Sequence, residues 1–128
     1  MLNKGLAQYQ QVNTHSGVED ASPHRLIQML MEGVLQRLAE AKGAIQRSAI
    51  SDKGEAIGKA VTIVGGLRDS LNKEVGGEMA DNLDDLYDYM QCRLLQANIG
   101  SSEDIIDEVM TLMGTIKAGW EGIAEGIA

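Results

Sequence analysis

Two histidines, one cysteine and a few paired acids and glycines are the only residues of this 128-residue chain placed to do chemistry. A carboxylate-bridged di-metal centre among helices needs Glu from two helices and Glu-x-x-His from two more, all turned inward. Only His15 and His24 are present, and neither follows a Glu by three, so no metal site is expected. His15 reads as a loop residue. His24 stands in a first helical turn and admits a sharper reading, because phosphorelay bundles expose a His on a helix. Such sites carry Lys-Gly a few residues on, whereas here Arg25-Leu26-Ile27-Gln28 follows. An exposed or capping His24 is therefore the preferred reading, and a phosphorelay bundle using it is the alternative. Cys92 is single, with no His–acid constellation near it, and reads as a reduced thiol. Asp84-Asp85 lie opposite a helical apolar stripe, which suggests a solvated face rather than an acid–base pair. Gly65-Gly66 and Gly76-Gly77 follow no strand and match no phosphate-cradling motif. The residues point to no catalytic site and no cofactor.

Composition narrows the classes further. Apolar residues make up 44% of the chain, too many for a disordered tail, and the length suits one domain, 1–128, with one core. Phe is absent, so the core must be aliphatic, with seven Met among its fillers. The net charge of −8 leaves no basic patch for nucleic acid and sets the chain against anionic membranes. No apolar run approaches the roughly 20 residues of a membrane span, and Met1-Leu2-Asn3-Lys4-Gly5 lacks a signal-peptide core. A cytoplasmic location is expected, with no membrane insertion.

The elements follow from periodicity. Leu2, Leu6, Tyr9 and Val12 form a short amphipathic stripe over 1–12, and a polar run over 13–21 reads as a flexible connection. Ser22-Pro23 is a strong helix start, since Ser caps free amides and Pro at the first position has no N–H to lose. The helix over 22–47 carries Leu26, Leu30, Val34 and Leu38. Asp52 and Glu55, three apart, suggest a capping box opening a second helix over 52–74, ended by Val75-Gly76-Gly77. Met79, Leu83, Leu86, Tyr87, Met90, Leu94 and Ala97 recur at helical spacing over 77–99, with acids on the other face. A fourth helix over 101–127 carries Val109, Ile116, Trp120, Ile123 and Ile127, capped by Ser101 or Ser102. Short connections force neighbouring helices antiparallel, so an all-α, up-down four-helix bundle is expected, with a short N-terminal helical segment.

Three separated blocks then resemble one family. They are Tyr9 with Ala21-Ser22-Pro23-His24-Arg25-Leu26-Ile27-Gln28-Met29-Leu30-Met31-Glu32-Gly33; Glu74-Val75-Gly76-Gly77-Glu78; and Asn82-Leu83, Leu86-Tyr87-Asp88-Tyr89-Met90 and Arg93-Leu94. Ala97-Asn98 and the late Trp120 also fit. In this order they look like the flagellar export chaperone family FliS, over nearly the whole chain. Gly114, Gly119, Gly122 and Gly126 depart from the family, which more often has good helix formers there. The resemblance implies a four-helix bundle without enzymatic activity. It would bind the disordered C-terminal segment of flagellin in the cytosol, prevent early polymerisation and deliver it to the export gate. It also implies links to the flagellar anti-sigma factor and the export-gate component FlhA.

The residues supply a mechanism for such a role. An amphipathic tail can lay helical pieces into grooves between bundle helices. Ordering it costs several kcal/mol, so a large contact area is needed. Apolar side chains just off the central stripes, Ile63, Val75, Tyr89 and Leu95, are the candidates to supply it. Leu6 and Tyr9 on the N-terminal stripe would either pack on the bundle or contact the partner. The resemblance favours a partner role for Tyr9, which matches the family's N-terminal Tyr.

Overall fold

The computed structural model describes residues 21–123. The N-terminal stripe with Leu6 and Tyr9, the connection over 13–20 with His15, and the last helix beyond 123 lie outside them. Four helices follow in order: α1 Pro23–Gln46, α2 Ile50–Asp69, α3 Lys73–Gly100 and α4 Glu103–Glu121, with no strand among the described residues. Each neighbour runs antiparallel to the last. Lys53 of α2 meets Asn98 of α3, and Arg68 meets Asp84 at the other end. Across α1 and α4, His24 meets Trp120 and Gln46 meets Glu103. This is an up-down four-helix bundle. One aliphatic core runs through it, from Leu26, Leu30, Val34 and Leu38 of α1 to Ile106, Val109 and Met113 of α4.

Local signals explain most boundaries. The Ser22 hydroxyl accepts from the Arg25 N–H at 3.1 Å, and Pro23 follows at the first position of α1. Ser102 caps α4 in the same way, accepting from Ile105 N–H at 3.2 Å. Gly114 and Gly119 are carried within α4, so the glycines there do not end the helix before Glu121. The C-terminus of α3 is closed by Ser101 in the left-handed region, φ 49°. Gly would take that conformation more cheaply. Ser supplies a hydroxyl instead, which accepts from the buried Lys53 ammonium at 2.7 Å. Lys53 also donates to the Asn98 carbonyl at 2.8 Å, so a cation neutralises the negative end of α3.

Three expected boundaries move. The second helix opens at Ile50, not Asp52. Ala49 is its unassisted cap, and Asp52 lies inside the first turn, where it favours the helix dipole and reaches Arg47 at 3.4 Å. The same helix ends at Asp69 rather than at 74. The Ser70 hydroxyl closes it by donating to the Leu67 carbonyl at 2.7 Å. Asn72 then opens α3 by accepting from Val75 N–H at 3.2 Å. Gly76-Gly77 is therefore no helix stop. It is a kink inside α3, at Gly77 (φ 54°, ψ −127°), following one short turn. A side chain at Gly76 would approach the Ala80 Cβ to 2.9 Å, so both glycines are needed for the bend.

Candidate binding surface

Helix α3 decides what the bundle offers to a partner. Its inward stripe is Ala80, Leu83, Tyr87, Met90, Leu94 and Ala97, in steps of three and four, with Leu83 half-buried and the rest buried. Burial pushes the Tyr87 phenol up to about 12, so it stays neutral. Met79 and Leu86, expected in that stripe, are instead exposed, Met79 by 69%. Each precedes a core residue by one position, which turns it about 100° out of the core. A stricter heptad reading of the sequence separates the two sets.

The expected contact residues are placed on several faces. Val75 is 84% exposed on the short turn before the kink. Tyr89 and Leu95 are exposed on α3, six residues apart and so about 120° apart around its axis. Leu95 shares its outer face with Ile99, which is 89% exposed and which the sequence reading missed. Ile63 is half-buried against the core. It lies seven residues after Ala56 and shares its face, which borders a groove between α1 and α2. That groove, about 590 Å³, is lined by Ala39, Gly43 and Ala56 together with the stems of Glu40, Arg47, Glu55 and Lys59. Leu6 and Tyr9 fall outside the described residues. The structure thus places three of the expected contact residues, Val75, Tyr89 and Leu95, on different faces of α3 and leaves Ile63 apart.

Electrostatics fasten α3 on both sides. Toward α2, Arg68 donates through Nε to Asp84 at 2.8 Å and through Nη1 to Asp88 at 3.0 Å; within α3, Lys73 reaches Asp84 at 2.9 Å. Hydrogen bonds from Arg68 and then Lys73 pull the Asp84 carboxyl down to about 2. Asp84 is therefore not part of a solvated face; Asp85 is exposed, as expected. Toward α4, the Tyr89 hydroxyl donates to Glu108 at 2.7 Å and Arg93 Nε donates to the same carboxylate at 2.9 Å. These bonds lower the Glu108 pKa and raise that of Tyr89. The polar tip of Tyr89 is committed within the protein, and its ring edge is what remains to a partner.

His24 is neither exposed nor a cap. It is 6% exposed, and its ring stacks on Trp120 with centroids 4.8 Å apart. His24 Nε2 bonds to the Trp120 carbonyl at 2.8 Å, and Trp120 Nε1 donates to the His24 carbonyl at 2.9 Å. The reciprocal clasp joins the start of α1 to the end of α4. It buries a ring that a phosphorelay would need exposed, which removes the observation on which that alternative rested. Among the described residues no His/Cys/Asp/Glu group is arranged to hold a metal, and no helix is long and apolar enough to cross a membrane.

Comparison with known proteins adds independent findings. The family model for the flagellar protein FliS matches residues 5–126. The flagellar secretion chaperone FliSB of Pseudomonas aeruginosa is 53% identical over 121 residues, covering 94% of this chain and 96% of the relative. The flagellar secretion chaperone FliS of Vibrio cholerae is 42% identical, covering 95% of this chain and 90% of the relative. That of Salmonella typhimurium is 43% identical, covering 94% and 90%.

Proposed function

The chain belongs to the FliS family of flagellar proteins, and from that premise we propose that it is a cytosolic, non-enzymatic secretion chaperone for flagellin. It binds flagellin's disordered C-terminal segment, prevents premature polymerisation and delivers the subunit to the export apparatus. Links to FlhA and to the flagellar anti-sigma factor belong to the same reading.

The observation that carries the reading is the pair of apolar borders on α3. Tyr89, with Leu86, flanks the core stripe on the α4 side, while Leu95 and Ile99 stand on the outer face. Beyond the bond from the Tyr89 hydroxyl to Glu108, the fold gains little from these further apolar side chains, since α3 already buries one complete stripe. They suit a segment that adds amphipathic pieces along the bundle, the helix-in-groove mode. Leu6 and Tyr9 take part as contacts from the N-terminal stripe, and Val75 from the turn before the kink. Ile63, half-buried at the α1 edge of α2, is a further contact away from α3. The names of relatives covering most of the chain favour a secretion substrate as the occupant.

The test is calorimetry with full-length flagellin and with flagellin lacking its C-terminal segment. Binding is expected to the first and loss of binding to the second. Equal affinity for both would overturn the assignment of the tail as the bound element.

A further inference from the structure

Of the proposed contacts among the described residues, Tyr89 alone has a polar end, and that end is tied down. Its hydroxyl donates to Glu108 Oε2 at 2.7 Å, although Tyr89 is 43% exposed. Tyr89 stands on α3 and Glu108 on α4, so the ring is drawn across the seam between the two helices. Val75, Leu95 and Ile99 carry no polar atom that could anchor them in this way.

The tie is a stiff one. Oε1 of the same carboxylate accepts from Arg93 Nε at 2.9 Å, and Arg93 Nη1 donates to Gln96 Oε1 at 2.6 Å. Both oxygens of Glu108 are thus engaged, and the guanidinium that grips one of them is itself held on α3. Ile106 and Val109, two before Glu108 and one after it, are buried and fix the rotation of α4. For stability such a pair is worth little, because the Arg93 and Glu108 side chains are 31% and 38% exposed and water screens them. Its effect on a binding residue is another matter. A ring held in one rotamer before the partner arrives loses less freedom on binding than a ring the partner must order.

We propose that Glu108 is a positioning residue for tail binding: it holds the Tyr89 ring, through the hydroxyl, in the orientation that meets flagellin's C-terminal segment. Arg93 steadies the carboxylate. Glu108 acts through Tyr89 and not by touching the partner. This role rests on Tyr89 being a contact in the flagellin complex and deepens that reading.

The test measures flagellin affinity by calorimetry, with melting temperatures alongside, for the full chain and its variants. E108L cuts the tie, and affinity should fall about three- to tenfold, the cost of ordering one side chain, with little change in melting. E108Q removes the same charge but keeps the tie, since its carbonyl oxygen can accept from Arg93 while its amide donates to the Tyr89 hydroxyl. It should restore most of the affinity. Y89F removes the hydroxyl and should lose about as much as E108L. Y89F/E108L should lose no more than either, because both changes break one contact. Equal loss in E108Q would assign the effect to charge and overturn the proposal. So would a further loss in the double variant, or a loss of affinity that tracks a fall in melting temperature across the variants. Flagellin lacking its C-terminal segment separates the two readings. If the unaltered chain binds it as tightly as full-length flagellin, the tail assignment fails and this role falls with it. If binding needs the tail and E108L binds normally, the positioning role alone is overturned.

Discussion

Asp84 is the side chain on which the α2–α3 contact turns. It accepts from Arg68 and Lys73 at once, and those bonds lower its pKa from the ordinary 3.8 to about 2. A carboxylate with a depressed folded pKa contributes stability above its unfolded pKa, and that contribution is lost as pH falls through the folded value. Melting temperatures of the unaltered chain and D84N should therefore differ clearly near neutral pH. The gap should narrow from pH 3.8 downward and close below about 2. A gap that did not change with pH would assign the effect to packing. The His24–Trp120 clasp makes a second prediction at this scale. Trp120→Leu removes a stacked ring and the donor to the His24 carbonyl, and should cost about 1–3 kcal/mol in denaturant unfolding. His24→Ala should then cost much less in that background than alone, because both changes break one contact.

Among the elements, α3 is the unusual one. Its short first turn, with Asn72 as cap, is joined to the long remainder across Gly77. At φ 54° a residue with a Cβ is strained, and Gly77→Ala should cost about 1 kcal/mol or more in denaturant unfolding. The same change at Gly114, where a Cβ meets no atom within 4 Å, should instead stabilise α4 by several tenths to about 1 kcal/mol. Opposite signs at two glycines of neighbouring helices would establish the kink as a built feature. A stabilising Gly77→Ala would show that the chain straightens there.

For the whole molecule, the proposed flagellin complex carries a thermodynamic signature. Flagellin-tail binding buries mainly apolar surface, so its heat-capacity change should be clearly negative and its salt dependence weak. Calorimetry at several temperatures and ionic strengths checks both. A flagellin affinity that collapses with salt would show that charge rather than apolar burial dominates that interaction.

The sequence by itself determined the class of the molecule. Helical spacing of apolar residues, Ser22-Pro23 and Ser102 as starts, and short connections were enough for an antiparallel bundle, because each is a local signal read within a few residues. The inability to place His24, Asp84 and Met79 from sequence has one cause. Their environments come from residues far along the chain or from a rotation of one position. Trp120, 96 residues away, turns an apparently exposed His24 into a buried clasp. Arg68 draws Asp84 out of an apparently solvated face. A turn of about 100° per residue decides that Ala80 and Tyr87 face the core while Met79 and Leu86 face outward. The Gly76-Gly77 pair was legible as a break but not as a kink. Ser70 closes α2 and Asn72 opens α3 ahead of the two glycines, and the packed chain decides that these signals win. Local propensity determined the helices; the contacts between them decided which side chains remain for a partner.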